Sequence, residues 1–338
     1  MTGMKKPPVL AITAITSIAL LVLSAQSVSA GEKPFAKLVP ALDGAPPEGF
    51  TIGKGTTAYN GSIDGSIYKV NLRNGKGEIL VPAEPDFDVF AGDCYKLGMR
   101  VDKRSNNLIV AGCAQGDAYV FDADSGEEIM KYQLDDSGFS VINDLAITQD
   151  AVYFTDFGQS FIYHLPLSKN GKIPGSPDAA TAIPLTGDFD NGDNLIGRYA
   201  NGIVATPDGK TLIIGNSGTS KIFKVDPATG HSDEIIVSPP LAGLLDGSFL
   251  DAIVMYDGAL FILSPGDTPD LDSIQVVILD DDMLTGTLVG KITDSDMDGV
   301  ASGAMHGDSL YVNNARYWNF PGLPTTYDIT KIDIYTVE

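Results

Sequence analysis

Apolar side chains recur along this chain in short runs of strand length, set between polar turns. GFTIG (49–53), GMRVD (98–102), DLAIT (144–148), GIVAT (202–206) and AIVMY (252–256) are five such runs. Each is followed by a turn with Gly, Pro, Asn or Asp and then by a second apolar run. That is the signature of hairpins with one face buried. After residue 30 no long stretch carries the 3.6-residue period of an amphipathic helix, so the pattern predicts an all-β chain.

The pattern also repeats. AYNGSIDGSIYKVNLRNG, IVAGCAQGDAYVFDADSG, YFTDFGQSFIYHLPLSKNG, IIGNSGTSKIFKVDPATG, FILSPGDTPDLDSIQVVILDDD and YVNNARYWNFPGLPTTYDITKIDI align as six copies of strand, polar loop and strand. Tyr68, Tyr119, Tyr163, Phe223, Val276 and Thr330 hold the matched position. The steps between them stay near a propeller blade length of roughly 40–60 residues. A short strand precedes each unit, and a fourth, such as GEILVP or DEIIVS, follows most of them. The expected architecture is a six-bladed β-propeller, one domain over residues 31–338. The last blade runs out of chain at Glu338 after its third strand, so PFAKLVPAL (34–42) is expected to supply the fourth and close the ring.

Residues 1–30 read as a processing signal. Lys5 and Lys6 precede the apolar run VLAITAITSIALLVL, and Val28-Ser29-Ala30 offers small residues for cleavage. An uncleaved anchor is the alternative. No later segment is long and apolar enough to span a bilayer, so a secreted or periplasmic chain without membrane contact is expected after cleavage. The formal net charge of -22 repels nucleic acid and anionic lipid and favours cations, though for the overall charge solubility alone is the preferred reading and only a focused cluster of oxygen ligands argues more. Cys94 and Cys113 flank a segment that the Lys103–Asn106 turn folds into a hairpin, with both at its open end. In an exported chain this predicts a structural disulfide.

Register then brings out a candidate site. The positions just before the innermost strands are Glu48-Gly49, Leu97-Gly98, Asn143-Asp144, Asn201-Gly202 and Asp251-Ala252, with a small residue near Ala301 or Ser302 in the sixth blade. Innermost strands line the central channel, so Glu48, Asn143, Asn201 and Asp251 would present two carboxylates and two amide oxygens at one height. Such a set suits a hard cation, Ca2+ before Mg2+, and the near-absence of His and Cys argues against zinc or copper. Asp246 competes with Asp251 for the fifth position. The nine-residue spacing from Asp251 to Leu260 matches that from Asn143 to Val152, so Asp251 is preferred.

PEG (47–49), ND (143–144), NG (201–202) and Asp251 resemble the metal-binding set of the senescence-marker-protein/gluconolactonase family. Paraoxonases and the squid-type phosphofluoridate hydrolase share that arrangement. The resemblance implies a six-bladed propeller with a catalytic divalent cation held by Glu48, Asn143, Asn201 and Asp251, and hydrolysis of lactones or related esters. Two departures stand out. Val141 occupies the place where gluconolactonase-type members carry an Arg, and Ala252 stands where a Gly usually follows the Asp. A histidine pair of the paraoxonase kind is not expected from His164, His231 and His306.

In a hydrolase of this design Asp251 is the candidate base. Asp156, Asn216, Arg316, Tyr317 and Trp318, on loops expected at the same mouth, are candidate substrate contacts. Asp294-x-Asp296-x-Asp298-Gly299 imitates the start of a calcium loop but has Met305 at position twelve. Asn60-Gly61-Ser62 is a glycosylation sequon only in a host that glycosylates. Gly215-Asn216-Ser217-Gly218 lacks half of a nucleophile elbow. A non-catalytic, metal-stabilised binding propeller is the alternative reading, and a metal-free strictosidine-synthase-like propeller is disfavoured by the complete ligand set.

Overall fold

The computed structural model describes residues 35–41, 44–189, 199–317 and 326–338. The expected signal segment and Trp318 lie outside them. The secondary structure is β apart from three single-turn 3-10 helices among the described residues. The first sheet is Pro47–Ile52, Thr57–Ser62, Ile67–Asn71 and Gly77–Val81. The second is Met99–Asp102, Asn107–Ala111, Asp117–Asp122 and Glu128–Gln133. Ile142–Ile147, Ala151–Asp156, Phe161–Pro166 and Thr181–Pro184 form the third. Each is an antiparallel meander in chain order. A further four-stranded sheet joins Val300–His306, Ser309–Asn314 and Asp328–Asp333 to Leu38–Pro40. Leu38 pairs with Thr330 and Pro40 with Asp328, so the start of the domain completes its last sheet, as the sequence leads one to expect.

The remaining strands differ from the expectation of separate blades. Ala200–Ala205, Leu212–Asn216, Lys221–Val225 and His231–Ser238 form one meander. Ile253–Tyr256, Ala259–Ser264, Ser273–Leu279 and Thr285–Ile292 form the next, and both belong to a single nine-stranded sheet. Their outer strands run to eight residues each. That length carries Ile236–Ser238 into parallel pairing with Thr285–Thr287. Thr186–Gly187 adds the ninth strand, alongside His231.

The arrangement is propeller-like. The innermost strands start at Pro47, Met99, Ile142, Ala200, Ile253 and Val300. They pack against one another in that order, and the last packs against the first. Apolar clusters fill the space between successive meanders. Tyr59 and Ile67 meet Met99 and Leu108, Ile109 and Tyr132 meet Phe154 and Leu165, and Val39 and Phe50 meet Tyr311 and Ile329 across the closure. Each fully buried side chain of this size contributes about 1.5–3 kcal/mol relative to exposure, so every meander depends on both neighbours.

Candidate functional site

The inner strands are regular except where they begin. The ladder to the second strand slips between Pro47 and Phe50, Ile142 and Leu145, Ala200 and Ile203, and Val300 and Gly303. Each slip is a β-bulge, a device that takes two residues out of the ladder and re-aims their side chains. The residues taken out are Glu48-Gly49, Asn143-Asp144, Asn201-Gly202 and Ala301-Ser302. Backbone groups here bond sideways to the next meander. Gly98 N–H donates to the Asn143 carbonyl (2.7 Å) and Gly202 N–H to that of Asp251 (2.9 Å). The approach is close enough to require glycine. A Cβ at Gly49 would lie 2.1 Å from the Leu97 carbonyl oxygen, and one at Gly202 2.6 Å from that of Asp251.

All the registered positions meet there. Glu48, Gly98, Asn143, Asn201, Asp251 and Ser302 line one void of about 10 Å³, with Asp144, Ala252 and Ala301 completing its wall. That is about the room one water or one ion takes. Glu48, Asn143, Asn201 and Asp251 also line a cavity of about 630 Å³. Its walls are Ile63, Leu97, Val141, Phe157 and Phe249, together with both cysteines. Tyr317 and Asp267 line it too, and among the described residues no Lys, Arg or His does. Among the described residues no three His, Cys, Asp or Glu side chains gather as a metal cluster, so a cation in the void would have to draw on the two amides as well.

Hydrogen bonds fix the orientation of Asn201. Its Nδ2 donates to Ser217 Oγ (3.0 Å) and to Asp251 Oδ1 (3.0 Å). Ser217 Oγ–H is itself spent on the Leu250 carbonyl, so the hydroxyl accepts from Asn201 and the amide cannot be reversed. The carbonyl oxygen is therefore the atom of Asn201 left for a ligand. Tyr317 donates its hydroxyl to Glu48 Oε2. Burial pushes Glu48 up to about 7, with the Tyr317 bond opposing and the charge of Asp144 adding to the shift. Burial also raises Tyr317 well above the ordinary tyrosine range, reinforced by the charges of Glu48 and Asp251.

Asp144 is the site residue that sequence reasoning passed over. It is 4% exposed. Its Oδ2 accepts from Arg100 (3.1 Å) and from Ile203 N–H (3.4 Å), while Oδ1 has no hydrogen-bond partner. Burial raises its pKa against the pull of Arg100. The available signal was its place beside Asn143, since a bulge turns two consecutive residues out of the ladder. Ser217, which sets Asn201, had only its loop to announce it.

Other candidates lie elsewhere. Asp156 is fully buried and accepts from Val141 N–H (2.9 Å), Gly158 N–H (2.8 Å) and Tyr163 OH (2.9 Å). Asn216 Oδ1 accepts from Gly218 N–H (2.9 Å) and Thr219 N–H (3.1 Å). Both shape loops and neither lines the cavity. Arg316 clamps Asp298 (2.7 Å) and Asp328 (2.8 Å) and does not line it either. Tyr317 alone of the described loop candidates does. Asp246 accepts from Gly243 N–H in its own turn (3.0 Å), away from the void that Asp251 lines.

The calcium-like loop already holds cationic side chains. Lys37 Nζ sits 2.9 Å from Asp294 and 2.6 Å from Asp296, and Arg316 takes Asp298. Asn60 is 1% exposed and accepts from Asn313 Nδ2 (3.1 Å), which leaves no room for a glycan. His306 ends its inner strand far from the bulge and packs on Phe35. Cys94 and Cys113 are joined in a disulfide with Cα atoms 5.6 Å apart. Among the described residues no helix is long and apolar enough to cross a membrane.

No protein-family model matches the chain, and no curated protein matches it. Solved structures do. The major allergen Mala s 1 of Malassezia sympodialis is similar with a TM-score of 0.61 at 12% identity, over 90% of this chain and 98% of that one. A Lactobacillus plantarum protein is similar with a TM-score of 0.54 at 16% identity, over 81% and 79%. A β-propeller domain from Myceliophteria thermophila is similar with a TM-score of 0.52 at 11% identity, over 89% and 90%. At these identities the likeness is one of fold, and the fold is an all-β, propeller-like ring.

Proposed function

We propose that the chain is a six-bladed propeller, the nine-stranded sheet counting as two blades, that binds a divalent cation, Ca2+ first among them, and hydrolyses lactones or related esters. The observation that carries this reading is the one-ion void lined by Glu48, Asn143, Asn201 and Asp251. The donor set fits. A half-buried carboxylate pushed up to about 7, in a cavity that Asp251 and Asp267 also line, is a group whose ionised form a bound cation would favour. Kinship with the senescence-marker-protein/gluconolactonase family belongs to the same proposal, as does export to an oxidising compartment, which the disulfide supports.

Glu48, Asn143, Asn201 and Asp251 would hold the cation. When bound, it supplies polarisation of the substrate carbonyl and charge stabilisation of the developing oxyanion. The rest falls to the protein. Tyr317 holds one oxygen of Glu48, leaving the other for the ligand side. Asn201 steadies Asp251, whose carboxylate takes the proton of the attacking water. The apolar walls keep other water out and position the ester.

A cation-stabilised binding propeller without turnover is the second reading. Val141 favours it, because it lines the cavity where sugar-lactone enzymes of this design carry an Arg. A panel of lactones and aryl esters, assayed with Ca2+ and with chelator, separates the two. Turnover that disappears with the cation, and falls about 100-fold or more in Asp251→Asn and Asn201→Ala, is the expected result. Cation-dependent thermal stabilisation with no turnover on any member supports the binding reading. A chain indifferent to Ca2+ in both measurements refutes both.

A further inference from the structure

We infer that this cavity takes an uncharged ligand with an apolar body, a lactone or ester bearing an alkyl chain, in place of a polyhydroxylated sugar lactone. The inference deepens the hydrolase reading and rests on it for the reacting group alone. Beyond the ring of oxygen donors the wall is Ile63, Leu97, Val141, Phe157 and Phe249 with the Cys94–Cys113 disulfide. Sugar hydroxyls against such a wall lose water partners without replacement, each costing roughly tenfold in affinity. Glu48 and Asp267 bring carboxylates to the lining and likewise disfavour an anionic ligand.

A second observation is independent of the cavity. The three most exposed large apolar side chains among the described residues are Leu245 (103%), Phe90 (83%) and Phe139 (76%). All three stand on the connections that run from an outer strand to the next inner strand, at 82–98, 134–141 and 239–252. Those same connections supply Cys94, Leu97, Val141 and Phe249 to the cavity wall. The loops that wall the cavity therefore also carry these exposed apolar side chains. Exposed single apolar residues are ordinary on protein surfaces. Among the described residues the three extreme ones all stand on connections that also wall this cavity, and an alkyl chain longer than the cavity would run out over those connections.

Inert ketones test the inference apart from hydrolysis. Titration calorimetry with 2-hexanone through 2-decanone, on the full protein with and without Ca2+, is expected to give affinity rising about fourfold per methylene. Glucono-δ-lactone is expected not to bind at millimolar concentration. A flat chain-length series, or tighter binding of the sugar lactone, overturns the inference. Val141→Arg should weaken 2-decanone about tenfold. Should that variant fold poorly, Phe139→Ser with Leu245→Ser, both at exposed positions, should lower 2-decanone affinity about fivefold and leave 2-hexanone and Ca2+ binding unchanged. An unchanged series in that double variant removes the loops from the argument and overturns the inference as stated. A steep series without turnover on any lactone sinks the hydrolase reading and leaves this one standing; turnover with a flat series does the reverse.

Discussion

The two ends of the inner strands build opposite surfaces from the same segments. At their starts lies the 630 Å³ cavity with Glu48, Asp251 and Asp267 and, among the described residues, no basic one. At their far ends lies a cavity of about 320 Å³, lined by Ala146, Ile147, Val204, Met255 and Met305, where Arg100 is the one charged lining residue among those described. Ile142–Ile147 carries Asn143 at one end and Ile147 at the other, and Ala200–Ala205 carries Asn201 and then Val204. The difference follows from how the backbone is satisfied. At the far end the ladder is regular, as where Ile253–Tyr256 pairs with Ala259–Ile262 in unbroken register. At the near end the bulges release two residues, which bond to the next meander and turn polar side chains toward the axis. Arg100 bridges the two by reaching Asp144.

The largest expected contrast comes from a methyl group added at each end. Gly202→Ala sets a Cβ against backbone atoms on two sides, 2.6 Å from the Asp251 carbonyl oxygen and 2.7 Å from Ile253 N. Neither atom can move without parting the fourth and fifth meanders. Overpacking of that kind should cost about 3 kcal/mol or more and abolish Ca2+ binding. Gly258→Ala lies in the far turn with nothing within 4 Å of its Cβ. Its positive φ of 79° should cost only about 1–2 kcal/mol, with Ca2+ binding intact. Denaturant unfolding and calorimetry on both variants read the difference; equal losses of cation binding would show that the two ends are not independent.

Much of this organisation was legible in the chain. Alternation marked the strands, repetition aligned the inner positions, and the short last unit pointed to Leu38–Pro40 as the closing strand. The bulges were hidden because a two-residue break in a period-two pattern looks like any turn. Asp144 was lost with them. Asp156, Asn216 and Arg316 misled for a related reason. An acid, amide or guanidinium at a loop serves a ligand or its own backbone and ion-pair partners equally well, and sequence does not say where its atoms are spent. The joining of two meanders through Ile236–Ser238 had no pattern to betray it, since outer strands are half-exposed and their edges carry no side-chain code.

An intermediate effect belongs to the disulfide, which lines the near cavity only. Cys94→Ser with Cys113→Ser opens a loop with a sequence separation of 19 and should cost about 3 kcal/mol. Hydrogen exchange is the sharper readout. Protection should fall in 92–98 and 111–116 and hold in 253–262, where the far ladder is unbroken. Loss spread evenly over both would mean that the two ends unfold as one unit and that the near end has no separate stability to tune.

The smallest effect is a slope against pH, and it isolates Glu48 at the near end. Folded Glu48 keeps its proton up to about 7, whereas an unperturbed glutamate releases it near 4.5. Between those values the folded chain binds more protons than the unfolded one, so stability of the chelated protein must fall as pH rises through that window. At 1.36 kcal/mol per unit, reduced because water reaches this half-buried carboxylate through the cavity, the loss is about 2 kcal/mol. Asp144, also raised by burial, acts in the same direction. Glu48→Gln should flatten the slope and leave the chelated variant the more stable protein at pH 8, while weakening Ca2+ binding. Excess Ca2+ should restore the wild type at pH 8, because the cation favours the ionised carboxylate and binds only the folded state. It should do little for the variant. Met255→Leu, at the far end where no carboxylate lines the cavity, should leave the slope as it is. If chelated wild type and Glu48→Gln melt in parallel from pH 4.5 to 8, Glu48 is not held protonated in the folded chain, and the electrostatic case for a cation beside it fails.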